Sequence, residues 1–368
     1  MESFVQLRRG RTPRRIHADL DGLKDDELGR SGFTGRTAHL YHRHDPTDFR
    51  VGEGVLGVDV MATDLIPSDL DDPTGRPLAL FENEDCRISL SRRREAHPFY
   101  LRNVDGDELH FVHRGAGRFV TEFGPLPYRE GDYVYIPKGT TYRIEPDGES
   151  KVLVIEAREE FRVPPAGSLG RHFPYDSALL AIPEPCPIED DGRDEYEVRL
   201  YQGDDFSSIF YPHDPCDVEG WRGDNFPFSF NIEDYDVLTS ESVHLPPTVH
   251  LFMQATGVYV MNFLPRAAES RPGVERFPWY HRNVDYDEIA FYHGGSVFGR
   301  DMPPGLISHA PQGVHHGAPE KLRERSRQRF EEFDRVEWKI IAIDTRRRLR
   351  PSAAVVAAAF PADPEVQV

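Results

Sequence analysis

The chain repeats itself, and that repetition constrains its fold more than any other feature. Around residue 100 it reads Phe99-Tyr-Leu-Arg-Asn-Val-Asp-Gly-Asp-Glu-Leu-His-Phe111, and around residue 280 it reads Trp279-Tyr-His-Arg-Asn-Val-Asp-Tyr-Asp-Glu-Ile-Ala-Phe291. Tyr, Arg-Asn-Val-Asp and Asp-Glu recur at the same offsets. Further on, Ile136-Pro-Lys-Gly-Thr-Thr-Tyr142 answers to Ala310-Pro-Gln-Gly-Val-His-His316. Two copies of one unit are expected, divided near residues 164 to 176: an N-terminal half over 1–170, a C-terminal half over 171–350 and a tail over 351–368. A chain of 368 residues is long enough for each half to bury a core.

The copies are built from short apolar-polar alternations such as Glu108–His113, Tyr133–Ile136 and Val258–Phe263, punctuated by 31 prolines and 30 glycines. Short strands between frequent turns predict an all-β sandwich or barrel. The clearest helical stretch, Glu320 to Phe333, is charged nearly all round and reads as a solvated surface helix.

A net charge of −19 and a pI near 5.3 argue against nucleic acid or an anionic membrane as partner, since both would repel such a surface. No apolar run is long enough to span a bilayer, the nearest being Ala353 to Phe360. The arginine-rich N-terminus has no hydrophobic stretch behind it, so it does not read as a secretory signal. Cys86, Cys186 and Cys216 are odd in number and widely spaced. They form no disulfide framework and no CxxC pair, and a reducing cytoplasm fits best.

Superposing the copies shows where they differ in chemistry. His281 is matched by Leu101 and His316 by Tyr142, while Glu288 is matched by Glu108. Both imidazoles are missing together from the half that keeps the scaffold, as an abandoned metal site would look. Two imidazoles and one carboxylate form the facial set of non-haem Fe(II) oxygenases, with positions left open for substrate and O2, and zinc accepts the same ligands. The odd separation of His281 and Glu288 requires a turn or bulge between them, which Asn283 and Asp285 favour. His315 is an alternative to His316, because neighbouring strand residues face opposite ways.

With those residues in hand, the sequence resembles the homogentisate 1,2-dioxygenase family, particularly its shorter bacterial members. The resemblance runs through Leu7 to His17, Leu40-Tyr-His-Arg43, His213 to Trp221, Pro227 to Ile232, His244 to His250, Tyr280 to Asn283 with Asp287-Glu288, and His309 to Gly317. It implies a bicupin-like double-stranded β-helix, a homo-oligomer, and Fe(II)-dependent, O2-consuming cleavage of a small dihydroxylated aromatic substrate. His281, Glu288 and His316 become the ligands, His244 the proton-transferring histidine and His309 a further active-site histidine. The family has one residue fewer between its first histidine and its glutamate, which by counting would land on Asp287. Glu288 is preferred because the first copy keeps the same longer spacing to Glu108. Where the family has a substrate-holding tyrosine this chain has Val297, with His250 and Tyr280 as further candidate substrate contacts. The competing expectation is a metal-binding cupin that is no oxygenase, such as an isomerase or a binding module.

Overall fold

The computed structural model describes residues 7–14, 22–30, 36–50, 59–62, 66–167, 169, 173, 175–186, 191–235, 237–242, 249–277, 279–358 and 360–361. Strands dominate, with two short α-helices among the described residues, Glu320–Gln328 and Ala353–Ala358. The Asp-Glu of each copy opens a long strand, Asp107–Arg114 in one and Asp287–Val297 in the other. Around each, a sheet is laid down in the same order. The first runs 228–231, 132–136, 107–114, 150–157, 86–93, 78–82, 350–351, and the second runs 360–361, 59–62, 306–310, 287–297, 335–345, 258–263, 249–255, if read from the opposite end. A second sheet faces each of these. It contains 205–211, 196–202, 100–103 and 141–146 in one barrel, and 37–42, 24–29 and 280–283 in the other, where a backbone bridge joins His281 to His316. The chain is therefore all-β, as the alternation predicts, and forms the double barrel of cupin type that the resemblance implies.

The expected division at residue 170 cuts through both barrels. Strand Lys24–Gly29 pairs in parallel with Tyr280–Asn283, while Tyr196–Gln202 pairs in parallel with Tyr100–Asn103. Each half lends a hairpin to the other. The exchange continues at Asp59–Ala62, paired with Leu306–Ala310, and at Phe228–Asn231, paired with Asp132–Ile136. Part of the stretch expected as a tail is also docked, since Arg350 and Pro351 pair with Glu82 and Phe81.

One core joins the barrels back to back. Leu109 and Phe111 of one long strand and Ile289 and Phe291 of the other lie in a single buried cluster. Because side chains alternate along a strand, the intervening Glu108 and Glu288 point the other way, each into the interior of its own barrel. The helix Glu320–Gln328 departs from expectation: it is shorter than predicted and buries Leu322, Arg323 and Ser326. The reason is local, as the Arg323 guanidinium lies over the Tyr280 ring at 4.3 Å and Nε donates to the Ala318 carbonyl. No described helix is long and apolar enough to cross a membrane.

Candidate metal centre

Two imidazoles come from one sheet and a carboxylate from the sheet facing it. His281 and His316 are direct cross-strand partners, exchanging both backbone N–H···O bonds at 2.9 Å, so their side chains leave the same face. The ring centroids stand 4.0 Å apart. Glu288 reaches them because the chain turns over Val284, Asp285 and Tyr286 between the strands, which is the break the odd spacing required. Glu288 Oε2 lies 3.6 Å from His281 Nε2 and 3.4 Å from His316 Nε2.

The hydrogen bonds behind the rings leave the inner nitrogens available. His281 Nδ1 meets the Trp279 carbonyl at 3.3 Å and His316 Nδ1 meets the Val314 carbonyl at 3.1 Å. A carbonyl only accepts, so each Nδ1 carries the proton and each Nε2 keeps its lone pair. The three ligand atoms lie within 4.8 Å of one another. A metal bonds such atoms at about 2.0 to 2.2 Å, so these spacings suit three ligands on one ion. The exposed fractions of the side chains are 26 % for His281, 20 % for Glu288 and 11 % for His316, leaving one side open to a small molecule.

Charge is shared accordingly. Burial works to raise the Glu288 pKa, but in the metal-free protein the imidazoles of His281 and His316, when protonated, hold it well below the usual carboxylate range. Burial alone would lower His281, and Glu288 more than reverses it. Asp344, paired with Glu288 across the strands, is pushed up by burial and by the Glu288 charge. Glu27 comes from the exchanged hairpin and stands beside His281 in the parallel register. It is raised by burial, which the neighbouring His39 and His281 oppose. Glu27, His39 and Asp344 were not singled out in the sequence. A signal existed: His44-Asp45-Pro46 and His213-Asp214-Pro215 follow the two hairpins in step.

His315 stands apart from the triad. It points to the other face, with Nε2 at 3.1 Å from Asp26 Oδ2. His309 is also turned away from the triad. Buried to 2 %, it bonds Asp287 through Nε2 at 3.0 Å and packs on Phe81. Tyr135 makes the same bond to Asp107 in the other barrel, at 2.8 Å, so this contact belongs to the duplicated scaffold. In this structure the His309 ring lies in the interior, braced on Asp287 and apart from the triad. The Tyr280 hydroxyl donates to Asp45 at 2.8 Å, as Tyr100 donates to Asp214 at 2.6 Å. Val297 lies at the far end of the strand that Glu288 begins, up to about 30 Å along the chain. It is buried among Phe277, Phe298 and Met302, and within this chain it is no wall of the triad. His244 lies outside the described residues. His250 pairs with Asn262 through its backbone, and its side chain lies outside those described.

A family model described as homogentisate 1,2-dioxygenase N-terminal matches residues 90–232. The matched stretch runs through the hairpin that completes the first barrel and ends just after strand Phe228–Asn231. A Saccharolobus solfataricus protein named "Putative dioxygenase" is 28 % identical, with 94 % of each chain covered. Homogentisate 1,2-dioxygenases of Nitrobacter hamburgensis and Caenorhabditis elegans are 27 % and 25 % identical over 52 % and 74 % of this chain. The chain is thus similar to homogentisate 1,2-dioxygenases over these stretches. It spans 44 % and 62 % of the length of those two relatives. Among solved structures, an oxalate decarboxylase mutant of Bacillus subtilis aligns over 83 % of the chain at 11 % identity and a TM-score of 0.38. A cupin barrel protein of Leptotrichia buccalis aligns over 73 % at 10 % identity and a TM-score of 0.33. At those scores the likeness adds nothing to the strand order.

Proposed function

We propose that the chain is an Fe(II)-dependent dioxygenase that opens a dihydroxylated aromatic ring, homogentisate or a related hydroquinone or catechol. The observation that carries this reading is the triad itself: two Nε2 lone pairs and one carboxylate oxygen converge from facing sheets. Relatives named as dioxygenases support it. Bound iron would supply Lewis acidity and a route for electrons from ring to oxygen. The protein's part is to hold that ion at three points and leave one side accessible. His244 is proposed as the base that takes the ring hydroxyl proton, a role suited to a near-neutral imidazole.

Anaerobic loading with Fe(II), followed by O2 uptake against a panel of hydroquinones and catechols, tests the proposal. Stoichiometric uptake with a ring-opened product is expected. In the same assay His244→Ala should keep its iron and lose about 10²- to 10⁴-fold in turnover. Metal binding with no oxygen uptake across the panel would make the chain a binding module instead.

A further inference from the structure

We propose that the N-terminal hairpin is a working part of the metal centre, with Asp26 as its positioning residue. The proposal rests on the reading of the triad as a metal site. Strand Lys24–Gly29 lies in parallel against the ligand strand, Asp26 beside Tyr280 and Glu27 beside His281. Glu27 therefore shares the ligand face and Asp26 the opposite one. There the Asp26 carboxylate is fully buried, with Oδ2 at 3.1 Å from His315 Nε2, 3.2 Å from His42 Nε2 and 3.8 Å from Arg282 Nη2. Its other oxygen, Oδ1, is buried without a hydrogen-bond partner. A carboxylate in that position is costly to keep.

What it holds explains the cost. Arg282 immediately follows His281 and His315 immediately precedes His316. In extended backbone, neighbours point to opposite faces, so a group that grips Arg282 and His315 from behind fixes the two ligands in front. Partners of this kind orient metal ligands and set affinity.

The other barrel supplies the control. Its hairpin docks in the same register, with Val198 beside Tyr100 and Arg199 beside Leu101. Val198 stands where Asp26 does, Thr141 where His315 does and Tyr211 where His42 does, by the matching pairings. Arg102, the counterpart of Arg282, donates to the Thr141 hydroxyl at 2.6 Å. The barrel without ligands docks its hairpin with an apolar side chain, Val198, at the position of Asp26. A charge needed only for docking would be needed in both.

The test uses the full chain carrying Asp26→Val, which installs the other barrel's residue, and Asp26→Asn, which keeps the shape. Fe(II) and Co(II) affinities would be measured anaerobically by chelator competition, together with the visible Co(II) spectrum and the thermal midpoint of the metal-free protein. Affinity should fall about 10- to 100-fold in both variants. The Co(II) spectrum should shift, and the metal-free midpoint should stay level or rise for Asp26→Val. Unchanged affinity and spectrum in both variants, alongside metal loss in His281→Ala, would overturn the hairpin's role and leave the centre standing. Retention in His281→Ala as well would overturn the centre and this proposal with it. An equal loss of metal-free stability in both variants would reduce Asp26 to a scaffold residue.

Discussion

The two barrels share strand order and the carboxylate at the same place, yet they fill the space around it in opposite ways. In the first, the Tyr142 hydroxyl donates to Glu108 at 2.7 Å, and Leu101, Val112 and Phe119 pack around it. That bond length leaves no room for an ion between donor and acceptor. In the second, imidazoles stand 3.4 and 3.6 Å from Glu288, and the gap suits a metal at about 2.1 Å from each. Two side chains thus decide whether the common glutamate is a hydrogen-bond acceptor inside a packed core or a ligand.

The sharpest break would come from removing ligands. His281→Ala and His316→Ala should each abolish metal retention, measured as iron per chain, because three ligands become two. Glu108→Gln should leave metal content unchanged, since Tyr142 and Leu101 replace both imidazoles and His110, with Nε2 at 3.9 Å, is a single histidine beside that carboxylate. Iron loss in Glu108→Gln would put the site in the wrong barrel.

A smaller effect is expected from grafting. The double variant Leu101→His with Tyr142→His recreates the ligand set in the first barrel but not the support behind it, since Val198 and Thr141 remain. A second ion should bind, at least about 10-fold more weakly than the first. Co(II) titration of the variant measures this. Equal affinity at both sites would mean that three ligands suffice and that the hairpin contributes nothing.

Much of this was legible in the sequence. The repeat Tyr-x-Arg-Asn-Val-Asp named the duplicated unit, and the loss of imidazoles at Leu101 and Tyr142 pointed to His281 and His316. What stayed hidden was who pairs with whom. Nothing local in the sequence marks Asp25, Asp26 and Glu27, and only the parallel docking of residues 24–29 onto residues 280–283 brings them to the centre. For Val297 the limit is related: counting from Glu288 gives a position along the strand, not a distance from the ligands. The bond of His309 to Asp287 lies on the face opposite Glu288, a parity that the register of residues 306–310 fixes and sequence spacing does not.

One pair of matched residues is retained in both barrels and yields the smallest effect. His113 and His293 occupy the same position in the two long strands and meet where the barrels abut, Nδ1 to Nδ1 at 2.9 Å. One ring must donate and the other accept, so protonating the acceptor sets two donors face to face. Burial, with the Lys339 charge added, lowers the His293 pKa to about 4. An unfolded histidine takes up its proton near pH 6.5, so between there and about pH 4 the unfolded chain binds a proton that the folded one does not. Stability from this site should be complete above pH 6.5 and decline as the pH falls toward 4, by at most about 3 kcal/mol. Urea midpoints at pH 7 and pH 4.5 measure the decline, and His293→Phe should flatten it, as the ring can pack on Phe111 without a proton to gain. An equally steep decline in the variant would place the acid sensitivity elsewhere than at the junction of the barrels.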